Sequence, residues 1–291
     1  MITVLKTLAI VNPISGTGKQ KNIEVLLNKY LDHKQFHLQI EKTDYAGHGT
    51  ELAKLAIKNR FNLVIAIGGD GTINEIANAL TFSNVAMGII PCGSGNGLAR
   101  HLGIPMSIKK AIEWLNKATI NKIDTITANN YRFINVAGIG FDALVAHEFT
   151  RMKSRGLTNY AKAILKCFRI FSNQTFVLKN QEQETVENGM MLCFANSSQF
   201  GNNAYIAPNA VLDDGKMNIS LLKKPKWFQI PALSWKVFTK GLNSSFLFRE
   251  IITDEITIIQ QSELGHVDGE PICFGKNIYL KVDPLSLKIL A

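Results

Sequence analysis

The chain has 291 residues, of which 46% are apolar and 19% charged, and it carries 32 Lys and Arg against 23 Asp and Glu, a net charge of +9. That length and composition suit about two packed domains and exclude a disordered or fibrous chain. The basic excess points to anionic partners, whether nucleic acid, a membrane surface or a phosphorylated substrate, and says nothing of the fold. No apolar run approaches the ~20 residues that cross a bilayer. Met1-Ile2-Thr3-Val4-Leu5-Lys6 lacks the basic head and cleavage site of a signal peptide, so a soluble intracellular chain is expected. Cys92, Cys167, Cys193 and Cys273 are scattered, with neither metal-ligand nor disulfide spacing, and His101 and His266 belong to no paired metal motif. Reduced thiols, mostly buried, are expected.

The first ~125 residues alternate short apolar runs with segments of helical period. Leu8–Val11 reads as a strand closed by Asn12-Pro13, and Ile23, Leu26, Leu27, Tyr30 and Leu31 recur at helical spacing. Leu38–Ile40 reads as a strand, Glu51–Lys58 as a helix, Leu63–Ile67 and Val85–Ile90 as strands covered on both faces, and Ile108–Leu115 as a helix. This alternation predicts a parallel sheet flanked by helices. Beyond residue 122 the pattern turns to strands: Thr125–Ala128 and Tyr131–Val136 about an Asn129-Asn130 turn, then Thr175–Lys179, Met190–Ala195, Met217–Leu222, Glu255–Gln261 and Asn277–Val282. Helical stretches around 143–171 and 226–240 interrupt them. A parallel α/β domain over 1–125 followed by a β-sandwich over 126–291 is the expected architecture, with the last residues free to return to the first domain.

Three glycine-rich loops each follow a predicted strand, at the carboxyl edge where parallel sheets bind ligands. Asn12-Pro13-Ile14-Ser15-Gly16-Thr17-Gly18-Lys19 resembles a Walker loop, but Pro13 replaces its first glycine and Gln20 its metal-binding hydroxyl, so it is not read as one. Gly68-Gly69-Asp70-Gly71-Thr72 opens a predicted helix, where backbone N–H groups and the helix dipole favour a phosphate. Asp70 is foreign to an anion cradle unless it meets a metal or a proton. In Gly93-Ser94-Gly95-Asn96-Gly97, Ser94 and Asn96 offer donors to phosphate oxygens, and Arg100 follows with a planar cation. One such loop is an ordinary turn; three together argue for phosphate binding. Asp213-Asp214-Gly215 and Asp268-Gly269-Glu270 each read equally as a hairpin turn or as a metal or proton-transfer site.

These five motifs, in this order, resemble the diacylglycerol kinase/sphingosine kinase superfamily, and the chain is similar to a bacterial lipid kinase of that group over essentially its whole length. The resemblance implies an ATP-dependent kinase that phosphorylates a lipid hydroxyl, with a nucleotide domain, a β-sandwich lipid domain and ATP between them. It assigns the nucleotide to Asn12, Ser15, Gly16, Thr43, Gly68, Gly69, Asp70, Gly71, Thr72, Glu75, Gly93, Ser94 and Asn96. It assigns Mg²⁺ to Asp214 with the carbonyls of Val211 and Lys216. Catalysis falls to Glu270, Asp268 and Asp70, with the proton acceptor open between Glu270 and Asp70. Many diacylglycerol kinases carry Asp where this chain has Gly97, which leans toward a sphingoid or ceramide acceptor. The alternatives are an NAD kinase-like enzyme, sharing the GGDGT loop, and a nucleotide- or lipid-binding protein without turnover.

Lys162, Lys166 and Arg169 lie among Ile164, Leu165, Phe168 and Phe171, and a second aromatic segment from Trp227 to Phe238 is flanked by lysines. Such segments suit either an anionic membrane or packing on the sandwich. The expected setting is the cytoplasm, peripheral at the inner membrane surface, without nucleic acid and with room for a homodimer.

Overall fold

The computed structural model describes residues 4–15, 19–151, 157–180 and 183–291. Two compact units form, Met1–Thr125 with Leu285–Ala291, and Ile126–Pro284. Among the described residues no helix is long and apolar enough to cross a membrane.

In the first unit, β1 (Leu5–Val11), α1 (Ile23–Tyr30), β2 (Phe36–Lys42), α2 (His48–Lys58), β3 (Leu63–Gly68), α3 (Asp70–Leu80), β4 (Ala86–Pro91), α4 (Gly97–His101), α5 (Ile108–Leu115) and β5 (Ile120–Ala128) follow in chain order. The strands run parallel in the order β2-β1-β3-β4. Every residue of β3 and β4 is buried, as a strand covered by helices on both faces requires. The chain's last strand adds beside β4, with Ile289 opposite Met87. Sequential strands leave β1 in opposite directions, β2 to one side and β3 to the other. This creates a switch point at the carboxyl ends of β1 and β3, where such sheets bind ligands.

The second unit holds β6 (Tyr131–Phe133), β7 (Val136–Gly140), α6 (Phe141–Thr150), α7 (Leu157–Ile170), β8 (Gln174–Lys179), β9 (Glu184–Gly189), β10 (Met191–Ala195), β11 (Met217–Leu222), α8 (Ile230–Phe238), β12 (Phe248–Thr253), β13 (Glu255–Ile259), β14 (Leu264–Val267), β15 (Glu270–Cys273) and most of β16 (Asn277–Leu290). One antiparallel sheet has the order β12-β11-β10-β7-β14-β15, and β16, β13, β8 and β9 form the other. Alternation along β10 explains the layering: Leu192 and Phe194 join Phe133, Phe176 and Ile258 in the sandwich core, while Cys193 and Ala195 pack on helical residues such as Val145, Ala163 and Cys167.

The parallel sheet and the sandwich agree with the expected fold class, and three expected elements change. The stretch 143–171 is two helices, α6 and α7. The strand expected over Tyr131–Val136 breaks because the Asp268 side chain takes the N–H groups of Ile134, Asn135 and Val136. The last strand does not stop at Val282. It passes Pro284 because Leu285 adopts a positive φ of 47° and gives its N–H to the Asp124 carboxylate.

Phe194 is fully buried. Phe194→Ala should cost the second unit about 3–5 kcal/mol in denaturant unfolding; a loss below about 1 kcal/mol would mean that the sandwich core does not rest on it.

Candidate functional site

The three glycine-rich loops meet in the first unit. Gly69 and Gly93 touch backbone to backbone: a Cβ on Gly93 would stand 2.7 Å from the Gly69 Cα and 2.8 Å from the Asn96 Oδ1. Only glycine permits that approach. Asp70 then fastens the two loops. Its Oδ2 accepts the Asn96 N–H at 2.8 Å and its Oδ1 the Gly97 N–H at 2.9 Å, at the start of α4. Burial raises the Asp70 carboxyl above the ordinary value of 3.8, against the lowering pull of those two N–H groups.

Asn12 ties the first loop to the same place, donating from Nδ2 to Thr72 Oγ1 at 2.9 Å across the switch point. Gln20, buried, donates to the carbonyls of Asn12, Pro13 and Ser15. The residue that disqualified a Walker loop therefore shapes this one. Ser15 donates its hydroxyl to the Asn12 carbonyl, and Thr43 gives its N–H to the Val11 carbonyl beside the β1 terminus. Glu75 faces the next helix, where Oε1 accepts the Thr50 N–H at 3.2 Å and so caps α2, whose own N-cap is Gly47. Gly16 lies outside the described residues.

The first i→i−4 bond of α3 runs from the Ile73 N–H to the Gly69 carbonyl, which leaves the amides of Gly71 and Thr72 ahead of the helical ladder. With the helix dipole they are the kind of donors that could receive an anion at the switch point. Ser94 is exposed beside it, whereas Asn96 turns inward: its Oδ1 accepts the Gly93 N–H and its Nδ2 donates to the Gly93 carbonyl. Asn96 holds the third loop's shape instead of offering its amide outward.

In the second unit, Val267-Asp268-Gly269-Glu270 is a two-residue hairpin between β14 and β15, with φ of 48° at Asp268 and 84° at Gly269, the signs of a type I′ turn. Asp268 is buried, and its carboxylate accepts three main-chain N–H groups, from Ile134 (3.3 Å), Asn135 (3.1 Å) and Val136 (2.9 Å). Glu270, the next carboxylate, is exposed and makes no side-chain hydrogen bond among the described residues. The turn and the neighbouring strands thus separate two acids by role: one holds the backbone, the other faces solvent.

Asp214 sits in an exposed turn before β11, its Oδ1 accepting the Lys216 N–H at 2.9 Å, with Val211 also exposed. No cluster of three or more His, Cys, Asp or Glu side chains able to hold a metal occurs among the described residues.

A further polar group escaped sequence reasoning. Cys193, Gly138 and His266 lie in one row across β10, β7 and β14. Gly138 leaves the space in which the Asp142 carboxylate stands: a Cβ there would come within 2.0 Å of Asp142 Oδ2. That oxygen accepts the Cys193 thiol at 3.1 Å and meets His266 Nε2 at 3.0 Å. Burial and Asp142 push the Cys193 thiol well above its ordinary range. The signal in the sequence was the pair of glycines before Phe141-Asp142, which periodicity reads as a plain strand end.

Comparison with known proteins bears on these geometries. Residues 6–128 match the diacylglycerol kinase catalytic domain family, and residues 135–291 match the YegS C-terminal NAD kinase beta sandwich-like domain family. A diacylglycerol kinase of Bacillus subtilis is 30% identical over 226 residues, covering 74% of this chain and 73% of that one. A Yersinia enterocolitica protein described as "Probable lipid kinase YegS-like" is 27% identical over 292 residues, covering 97% and 95%. The crystal structure of a diacylglycerol kinase from Bacillus anthracis shares the fold with a TM-score of 0.77, at 21% identity over 100% of this chain and 98% of that one. The chain belongs to the diacylglycerol kinase family, in the branch that carries a YegS-type β-sandwich. It is accordingly a phosphotransferase that uses ATP.

Gly93→Ala should separate the two loops and weaken ATP binding at least about tenfold, read by calorimetry, while the second unit keeps its stability. Asp70 yields a pH test. Its raised carboxyl holds a proton more tightly folded than unfolded, so its contribution is complete below 3.8 and is lost as pH rises through the higher folded value. The stability of the wild type relative to Asp70→Asn should therefore fall as pH rises above 3.8 in denaturant titrations. A difference independent of pH would show that burial does not raise this carboxyl.

Proposed function

We propose that the chain transfers the γ-phosphoryl group of ATP to a hydroxyl of a membrane lipid at the cytoplasmic face of the inner membrane, with residues 1–125 binding the nucleotide and 126–291 the lipid. Membership of the family makes it a lipid kinase; the residue roles, the metal and the setting are our reading. One observation carries the assignment of roles: Glu270 stands exposed on a two-residue hairpin with no hydrogen-bond partner among the described residues, whereas both oxygens of Asp70 and of Asp268 are engaged by main-chain N–H groups. A proton acceptor needs a free lone pair that substrate can reach. Glu270 therefore takes the proton of the lipid hydroxyl. Asp268 positions the turn that carries it, and Asp70 positions the glycine loops.

Phosphoryl transfer asks a protein mainly to align the reacting groups and offset negative charge. The amides of Gly71 and Thr72 and the exposed hydroxyl of Ser94 donate to the ATP phosphates, with Gly93 keeping a side chain out of the loops' close approach and Gly68 leaving room for the Thr72 side chain. Asn12, Ser15 and Thr43 hold the edge of that cradle. The turn at Asp214 fits a hydrated cation better than a caged one, since its adjacent carboxylates, Asp213 and Asp214, are both exposed, with main-chain carbonyls such as those of Val211 and Lys216 beside them. Asp214 and those carbonyls would hold Mg²⁺, and a bound Mg²⁺ would neutralise phosphate charge. The net charge of +9 supports an anionic surface as the place of work.

The test presents labelled ATP and Mg²⁺ with detergent-dispersed diacylglycerol, sphingoid base, ceramide or monoacylglycerol, and with NAD in a separate reaction. Label in a lipid is the expected result and names the acceptor branch; label in NAD alone would sink the reading. Glu270→Gln should lower kcat by about 100-fold or more and leave KM for ATP within about threefold. Activity retained within a few-fold would remove Glu270 from the role of base.

A further inference from the structure

The second unit exposes an aromatic face that neither its core nor the proposed chemistry uses. Trp227 is 81% exposed, Trp235 72% and Phe246 79%, and Phe228 and Phe238 are exposed as well. Helix α8 buries only Leu233. Pro231, Trp235 and Phe238 are spaced i, i+4 and i+7 along one stripe of α8, and Trp227 stands in the 3₁₀ turn Trp227–Gln229 that leads into it. A helix facing water turns polar groups outward; this one turns aromatic rings outward.

The surrounding charge has one sign. Between Asp214 and Glu250 the chain holds six lysines and Arg249 and no acidic residue. Arg249 pairs with Glu187, but the lysines near the aromatic stripe find no carboxylate among the described residues: Lys236 donates to the Ser244 carbonyl at 2.9 Å, Lys224 to the Phe171 carbonyl at 2.5 Å, and Lys223 and Lys226 are exposed. Helix α7 differs, since it buries Ala163 and Cys167 and pairs Lys166 with Glu148.

We propose that this face, Trp227–Phe238 with Phe246 and its flanking lysines, is where the protein docks on an anionic lipid bilayer. Exposed Trp and Phe fit the boundary between headgroups and acyl chains, and the lysines meet the anionic headgroups. Charge argues against a second copy as the occupant, because a two-fold contact through this face would set lysine against lysine. The proposal deepens the membrane setting proposed above and rests on it, yet docking is measurable without turnover.

The full chain carrying Trp114→Phe leaves Trp227 and Trp235 as its fluorophores, since the sequence holds 3 tryptophans. With vesicles of equimolar phosphatidylglycerol and phosphatidylcholine at low salt, tryptophan emission should shift to the blue and be quenched by brominated acyl chains; phosphatidylcholine alone should do neither. Trp227→Ser with Trp235→Ser should weaken co-sedimentation at least about tenfold, and Lys223→Glu with Lys226→Glu should weaken it in the same direction. The aromatic variant should phosphorylate detergent-dispersed lipid within about twofold of the wild type but fall behind on vesicles. Unchanged co-sedimentation of the aromatic variant, or vesicle binding without any change in emission, would overturn the proposal. So would a dimer in sedimentation velocity that the aromatic substitutions dissolve while vesicle binding stays intact. If no lipid is phosphorylated in any form while the vesicle results hold, the kinase chemistry fails and the docking face stands.

Discussion

The first unit is organised about one close backbone contact, between Gly69 and Gly93, which the absence of a side chain at Gly93 permits. The approach brings the second and third loops together, and a buried carboxylate then locks them. Asp70 bears the cost of desolvation because its two oxygens find the N–H groups of Asn96 and Gly97. The first loop joins through Asn12 and Thr72. What results is a set of main-chain donors held in fixed positions at the switch point of a parallel sheet. Preorganised donors of this kind suit a highly charged phosphate chain, because they need not rearrange when charge develops.

The second unit uses acids in the same way, as holders of backbone. Asp268 gathers three N–H groups from the Ile134–Val136 segment, which ends one strand and starts another. Asp142 stands in the space that Gly138 leaves and meets Cys193 and His266. Against these, Glu270 is set apart by having no such task among the described residues. Acidic residues that look alike in the sequence are thus distinguished by the partners that folding gives them. A carboxylate whose lone pairs are taken up by the backbone orients structure; one left open can take a proton.

Much of the fold was legible because its signals are local. Leu63–Ile67 is an unbroken apolar run, and only a strand covered on both faces demands one. Met217–Leu222 was expected at its observed bounds, and the Asn129-Asn130 turn joins β5 to β6. The misread elements depend on distant residues. The break after Phe133 requires Asp268, far along the chain, and the continuation of β16 past Pro284 requires Asp124. A lysine-flanked aromatic segment reads equally well as a core helix or as a surface one. Only its packing shows that Trp227 and Trp235 face outward and Leu233 inward.

Sequence alone determined the class of fold and the presence of three glycine-rich loops at strand ends, since strand period, glycine spacing and motif order are properties of neighbouring residues. It marked Asp70, Asp268 and Glu270 as chemically important without ranking them. Tertiary structure decided what each one touches. Asp70 meets the amides of the third loop, Asp268 those of a strand break, and Glu75 caps a neighbouring helix. Hydrogen-bond partners separated by tens to hundreds of residues are set by the packing of whole elements, and no local pattern encodes them.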